Sequence, residues 1–540
     1  MVSKLCAEQM ANPTAWGREF LVNATVNQAQ SAPAVAALVD GRFVVVWEDA
    51  SGTGADTSFT AVRGRLFNAD ASPAGPEFLV NSTTVNAQGS PTVSAIATGG
   101  FVVVWMDNSA SGLSPSSEGL VLRGRLFRPD GVALGPEFLV LPNTGVTQVS
   151  PTTTALSDGG FALAWRENTS LESSIKTLSF FDDGAQIGSP QLANTSPIKG
   201  VSSTPSSAAL PDGGFVSVWA DREISRPDLS FSFQSSIQIG TSAVRGQLVR
   251  SDGGRDGVEF FVANRGNYQV SPSVGTLPDG RFVITWEEFA TVSGLISTSS
   301  ATVLLRAQLF NNDATPASDA FTISTSSDNL STLFNSPSRR VTALPDGRFV
   351  ISWADLRTSF FTQDRPAIKA QMFNPDGSQA SSIFRISAAV AGQQSSPQMT
   401  LLADGRLLFC WIDTSGRLGD QSEGGLHARL FDPRSSAVDL IGSLENDDYV
   451  GTIFDDAMSG YFGNDRLRGE AGNDHLMGDD GQDALLGNAG FDILEGGAGN
   501  DELRGGNGGD RLLGGEGNDD LAGLAGNDLH DGGNGDDVYI

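Results

Sequence analysis

An aspartate recurs every nine residues along the C-terminal sixth of this chain: Asp456, Asp465, Asp474, Asp483, Asp492, Asp501, Asp510, Asp519, Asp528 and Asp537. Each is the sixth residue of a unit that opens with glycine, from Gly451 through Gly460 to Gly532. Glycine also favours the second and fourth positions. The eighth is apolar in nine of the ten units (Met458, Leu467, Leu476, Leu485, Leu494, Leu503, Leu512, Leu521 and Tyr539), with His530 the exception. Glycines at the first, second and fourth positions permit a sharp loop whose carbonyls point inward, where a Cβ would obstruct. The carboxylate adds the hard anionic oxygen that Ca²⁺ prefers. The apolar eighth residue starts a very short strand and faces a thin core. These ten aspartates are therefore the candidate metal ligands, and several calcium ions are the implied cofactor. Chance Gly-rich matches are common, but ten consecutive units in one frame are not.

This pattern resembles the RTX (repeats-in-toxin, hemolysin-type) nonapeptide GGxGxDxUx over residues 451–540, and more weakly over an imperfect unit at 442–450 with Asp447 and Tyr449. The resemblance implies a parallel β-roll in which loops two units apart share one ion. Asp456 to Asp519 would then each have a following partner, and Asp528 and Asp537 would lack one. The second glycine is lost at Asp479, Asn488 and Leu524, and the fourth at Phe454, so weaker sites are expected there. RTX proteins are typically exported from Gram-negative bacteria by type I secretion, which reads an uncleaved C-terminal signal. The ending Asp537-Val-Tyr-Ile540 is similar to that of some type I substrates, although the family usually has tens of residues after the last repeat. A secreted, extracellular location follows as the expectation. The long N-terminal repeats resemble, more loosely, those of large bacterial RTX-associated extracellular proteins.

Charge isolates this acidic stretch from the rest. The 540-residue chain has a formal net charge of −29. Residues 451–540 hold 20 Asp or Glu against four Arg, a net of −16. Such a balance repels nucleic acid and anionic membranes and favours cations as partners. A segment this rich in Gly and Asp buries little without metal and repels itself, so calcium is expected to fold it. Cys6 and Cys410 are too few for a disulfide framework. No apolar run is long enough to span a bilayer as a helix. The N-terminal residues MVSKLCAEQMANPTAWGREF lack the apolar core of a cleavable signal peptide.

Ahead of the acidic stretch lie seven long repeats, marked by Trp47, Trp105, Trp165, Trp219, Trp286, Trp353 and Trp411. Each tryptophan closes a short apolar run such as Phe43-Val-Val-Val-Trp47. Seven residues before the Trp stands an Asp followed by Gly in six repeats, with Thr98 in the remaining one. Asp-Gly between apolar runs predicts a tight hairpin turn. A Pro-led run (Pro33 to Leu38), an Arg63-Gly-Arg-Leu-Phe67 segment and a Glu19-Phe-Leu-Val-Asn23 segment supply further strands. Four strands in each of seven repeats predict an all-β chain: a seven-bladed β-propeller followed by a calcium-binding parallel β-roll. The chain opens with a Glu-Phe-Leu-Val-Asn strand and its seventh repeat ends at Leu430-Phe431 without one. That first strand is expected to complete the last blade. The expected division is a tail at 1–17, the propeller at 18–434, a linker with the imperfect nonapeptide at 435–450, and the roll at 451–540.

Two residues after each Trp stands a carboxylate: Asp49, Asp107, Glu167, Asp221, Glu288, Asp355 and Asp413. A base opens the segment after the next loop, in order Arg63, Arg123, Lys176, Arg245, Arg306, Lys369 and His427. Antiparallel pairing brings such positions together, so an ion pair bracing each blade is expected. The sharper alternative is a ring of carboxylates holding cations or a basic ligand. The loops between acid and base are Ser- and Thr-rich, with Phe231, Phe233, Phe360 and Phe361, a composition suited to a glycan or cell-surface protein.

Among enzymes, HExxH zinc proteases and GxSxG hydrolases have no matching motif, and only three histidines exist. The Asp-to-Trp spacing of seven excludes the SxDxGxxW box of sialidase-type propellers, whose spacing is five. A secreted calcium-binding protein with an adhesive or binding propeller is the reading adopted. The alternative is an extracellular glycoside hydrolase or polysaccharide lyase working with carboxylates.

Overall fold

Asp40-Gly41 turns the chain between two apolar strands, as the dipeptide predicts. Gly41 takes φ +82°, which a Cβ would disfavour, and the Leu38 amide donates to the Arg42 carbonyl at 2.8 Å. The Asp40 carboxylate accepts the Arg42 amide at 3.1 Å, so the acid pre-forms the turn. The computed structural model describes residues 12–540, except 110–119, 142–145, 170–171, 196–197, 200–202, 223–241, 264–267, 291–300, 329–338, 356–366, 389–391, 421–423, 443 and 445. No α-helix occurs among the described residues, and no helix is long and apolar enough to cross a membrane. Phe231, Phe233, Phe360 and Phe361 lie outside the described residues.

Each hairpin belongs to an antiparallel sheet, and seven such sheets make the propeller. The first blade pairs Gln30–Ala37, Phe43–Asp49, Ala61–Phe67 and Phe78–Leu79 in that order. In the strand Phe43–Asp49 the residues Phe43 to Trp47 are all buried, because both faces are covered by neighbouring blades. Val44 and Val46 pack with Phe101, Val103 and Trp105 of the second blade. Val45 and Trp47 pack with Leu408 and Cys410 of the seventh.

The strand entering the turn is longer than its Pro-led core. It begins at Gln30 and passes through Pro33 with a register shift between Ser31 and Ala34. Ala32, just before the proline, takes φ +48°, and Ser90, Ser150, Ser271 and Ser396 do the same in other blades. The proline keeps the preceding residue out of the right-handed helical region, and the chain accommodates it as a β-bulge.

The ring closes as the phase of the repeats predicts. Thr14–Leu21 pairs antiparallel with Gly425–Asp432, setting Trp16 opposite Leu430 and Leu21 opposite His427. The strand starts at Thr14, inside the segment read from sequence as tail, because Thr14 and Ala15 still find partners in Asp432 and Phe431.

The C-terminal roll consists of two six-stranded parallel sheets. Successive units alternate between sheets, so each strand pairs with the one 18 residues on, as His475–Asp480 does with Ile493–Ala498. Met458, Leu467, Leu476, Leu485, Leu494, Leu503, Leu512 and Leu521 form a single buried file with Tyr449. The roll starts before the first full nonapeptide. Asp448–Val450 pairs with Arg466–Ala471, and Asp439–Ile441, within the expected linker, pairs with Ala457–Ser459.

Candidate metal centre

Each nonapeptide turns its aspartate inward because the apolar residue two positions later must enter the core file. The carboxylates of Asp456, Asp465, Asp474, Asp483, Asp492, Asp501, Asp510 and Asp519 are buried as a result. One oxygen of each is used by the backbone. The Asp456 amide donates to Asp474 Oδ1 at 2.8 Å, and the same contact continues from Asp474 to Asp492, Asp492 to Asp510 and Asp510 to Asp528. A second column runs from Asp465 through Asp483, Asp501 and Asp519 to Asp537. All ten predicted residues thus fall into two columns, five in each.

The other oxygen is orphaned. Oδ2 of Asp465, Asp474, Asp483, Asp492, Asp501, Asp510 and Asp519 is buried with no hydrogen-bond partner among the described residues. Such atoms are rare and costly unless something neutralises them. Space for a cation lies beside them. A Cβ at Gly460 would sit 2.1 Å from Asp465 Oδ2 and 2.8 Å from the Gly478 carbonyl oxygen. At Gly478 it would meet Asp483 Oδ2 and the Gly496 carbonyl, both at 2.4 Å. The first glycine of such units, Gly451, Gly460, Gly478, Gly487, Gly496 and Gly514, therefore keeps open a cradle of carboxylate and carbonyl oxygens, a donor set that fits a hard divalent cation.

Residues 441–539 carry RTX calcium-binding nonapeptide repeats.

Five overlapping stretches, 441–476, 450–485, 477–512, 486–521 and 504–539, match that family's four-copy pattern. No curated protein matches the chain by sequence. Solved structures similar to it include a protein of unknown function from Dyadobacter fermentans, at 12% identity and TM-score 0.43 over 78% of this chain and 99% of that one. The polysaccharide lyase Uly1 is 11% identical at TM-score 0.44, over 76% of this chain and 91% of its own. A Penicillium chrysogenum alpha-L-arabinanase with arabinobiose is 12% identical at TM-score 0.40, over 63% and 92%. At such scores the propeller's chemistry has to be argued from its own residues.

Electrostatics in the RTX roll follow from the orphaned oxygens. Burial, reinforced by neighbouring carboxylates, pushes Asp465, Asp474 and Asp483 up to about 7. Asp492 and Asp501 rise to about 6, and Asp510 and Asp519 also rise, again through burial first and the next carboxylate in the column second. A bound cation would reverse this, since it favours the charged form.

The second position of the unit is left-handed whether or not it is glycine, except in the first unit, where it is Thr452. Asp479 (φ +68°), Asn488 (+75°) and Leu524 (+70°) adopt it, and so do Tyr461 (+74°) and Glu470 (+78°), which sequence reading passed over. Counting non-glycine residues at that position in every unit would have found them.

In the propeller, all seven acid–base pairs lie within 4.0 Å. Asp49 meets Arg63 at 2.5 Å, Asp221 meets Arg245 at 2.8 Å and Asp355 meets Lys369 at 2.7 Å. Six of the pairs brace their blades, as the simpler reading holds; in the seventh, at 3.9 Å, His427 gives its short contact to Glu19 instead. Two more groups join them. Gln30 donates to Asp49 at 3.3 Å and Gln88 to Asp107 at 3.2 Å, both buried. The Glu of the outer strand reaches the preceding blade: Glu77 accepts from the Thr25 amide at 3.0 Å and Glu137 from the Thr83 amide at 3.0 Å. The glutamine had a signal, since Gln stands three residues before the bulge proline at Gln30, Gln88, Gln148, Gln269 and Gln394.

The cavities lined by described residues include two that bear on catalysis. One lies at the propeller axis among Leu156, Leu210, Leu277 and Leu344 and has no carboxylate. The other sits between propeller and roll, where Asp346 is paired with Arg348 and Asp404 with Arg406.

Proposed function

We propose that this chain is a secreted calcium-binding protein, with an RTX roll that folds on Ca²⁺ outside the cell and a propeller that serves as a binding or adhesive module. The observation that carries the calcium part is the row of seven buried Asp Oδ2 atoms without partners, each beside the first glycine of its unit. The ligands are Asp456, Asp465, Asp474, Asp483, Asp492, Asp501, Asp510 and Asp519 within the columns, with Asp528 and Asp537 at their ends. Extracellular calcium modules bind at roughly 10⁻⁴–10⁻³ M, so the roll would stay open in a bacterial cytosol and close after export. Metal binding is then folding free energy delivered at the destination. Type I export is the route that the RTX repeats suggest, and the propeller's loops are the surface offered to a glycan or cell-surface protein.

The test is a calcium titration of the full chain followed by far-ultraviolet circular dichroism and limited proteolysis. Added strand signal and protection of residues 451–540 at millimolar calcium, both reversed by EGTA, are expected. A roll equally ordered and protease-resistant in EGTA would overturn the reading. For the propeller, a glycan array probed with the calcium-loaded chain decides between adhesion and inertness.

A further inference from the structure

The seventh blade differs from the second and fourth at its basic residue. In the second blade Arg123 lies between two acids, Asp107 on one strand and Glu137 on the outer strand. In the fourth, Arg245 lies between Asp221 and Glu259. A guanidinium is permanently charged and offers five donors, so it can neutralise both acids at once. The corresponding group in the seventh blade is His427. Its Nδ1 lies 2.6 Å from Glu19 Oε1, on the strand that closes the ring, and 3.9 Å from Asp413 Oδ2.

One imidazole cannot do the work of a guanidinium here. It presents a single nitrogen toward two acids, and Glu19 takes the short contact. Asp413 Oδ2 is left buried with no hydrogen-bond partner among the described residues, although Asp413 Oδ1 accepts the Ser415 amide at 2.6 Å. The corresponding oxygen is satisfied elsewhere, by Arg63 and Ser51 at Asp49 and by Lys369 at Asp355. The three side chains are almost wholly buried, at 5% exposure for Glu19, 0% for Asp413 and 1% for His427. Arg417 contributes charge near Glu19 from the adjoining turn Arg417–Gly419, and it does not reach Asp413 Oδ2.

We propose that Glu19, Asp413 and His427 form a binding site for a borderline divalent cation such as Zn²⁺ at the seam of the ring. Their donor atoms all lie within 4.8 Å of one another. Tetrahedral zinc with bonds of about 2.1 Å separates its ligands by roughly 3.4 Å, and the two contacts at the histidine bracket that spacing. One nitrogen and two carboxylate oxygens select zinc or cobalt over calcium, which takes six to eight oxygens. The ion would replace the missing guanidinium charge, satisfy Asp413 Oδ2 and tie the closing strand to the blade that it completes. The sharper reading of the repeated acids, as a cation site, thus applies to this one blade.

The test uses the full chain in excess Ca²⁺, so that the roll is filled, titrated with Co²⁺ as a visible probe and with Zn²⁺. The wild-type protein is expected to take up one equivalent with a cobalt absorption band and a higher unfolding temperature of the tryptophan-rich propeller. H427R restores the arginine of the second and fourth blades; it is expected to fold, show no cobalt band and gain nothing from Zn²⁺. D413N is expected to bind roughly tenfold more weakly or worse. Absence of a saturable cobalt signal in the wild type, or an equal signal in H427R, overturns the proposal. Should H427R fail to fold, equal cobalt binding by wild type, D413N and E19Q overturns it instead.

Discussion

Arg468 of the roll places Nη1 2.9 Å from Oδ2 of Asp70, in the outer hairpin turn of the first propeller blade. Its other amino group meets Asp448 Oδ1 at 2.5 Å, and Asp448 Oδ2 accepts the Ala69 amide at 3.1 Å. Arg434 continues the seam, donating to the carbonyls of Val450 at 2.8 Å, Gly451 at 2.6 Å and Asp404 at 2.7 Å. Composition alone suggests a propeller indifferent to calcium. These contacts instead couple the two parts through the first turns of the roll. Calcium is expected to raise the propeller's unfolding temperature by a few degrees, read by tryptophan fluorescence. R468A should abolish most of that rise and cost roughly 1–3 kcal/mol, because it strands the buried Asp448. An unchanged calcium response in R468A would show the seam to be energetically idle.

Asp474, Asp492 and Asp510 occupy consecutive places in one column, linked at 2.9 Å and 3.0 Å. Replacing all three with Ala removes every central carboxylate on that side and leaves the other column intact. The calcium midpoint of the strand signal should rise severalfold, with a shallower transition. Titration by circular dichroism measures it, and wild-type behaviour of the triple variant refutes the ligand assignment.

The raised aspartates fix the sign of a pH effect. Their folded-state values, about 7 for Asp465, Asp474 and Asp483, lie above the ordinary 3.8. Protonation therefore stabilises the metal-free roll: the contribution is complete below about 4 and is lost as pH rises through 6 to 7. In EGTA the roll should hold more strand at pH 5 than at pH 8. With calcium present the order reverses, since the cation requires the carboxylate. Strand content independent of pH in EGTA would contradict both halves.

Leu524 is 68% exposed and held at φ +70°. A β-carbon costs about 1–2 kcal/mol in that conformation, so L524G should stabilise the calcium-loaded roll by about 1 kcal/mol. Asn488 tolerates the same backbone better, and N488G should gain less. The opposite change at Gly490, where a Cβ would lie 1.5 Å from the Gly472 carbonyl, should prevent the stacking of that turn. Calcium-dependent thermal melts rank the three variants.

The parts of the fold that were legible in sequence are those written by spacing. The Trp frame gave the blades, and the missing outer strand of the seventh repeat gave the closure between Leu21 and His427. The nonapeptide frame gave the two aspartate columns. Features set by geometry between distant segments were harder to see. The docking of Arg468 on Asp70 joins positions with no shared repeat, and the left-handed backbone at Tyr461 and Glu470 contradicts the preference of both residues. The site at His427 was visible only as a substitution in a series of bases; its third member, Glu19, belongs to the far end of the chain.

Closure by the strand Thr14–Leu21 also carries a liability during folding. Until residues as distant as Leu21 and His427 meet, the seventh blade presents a bare edge and the closing strand has no partner of its own. In a concentrated solution of partly folded chains, the strand of one molecule fits the edge of the next as well as its own. Domain-swapped dimers and open chains of propellers are the natural by-products of slow closure. Anything that holds the strand locally, the Glu19–His427 contact above all, favours the monomer by speeding a reunion across four hundred residues.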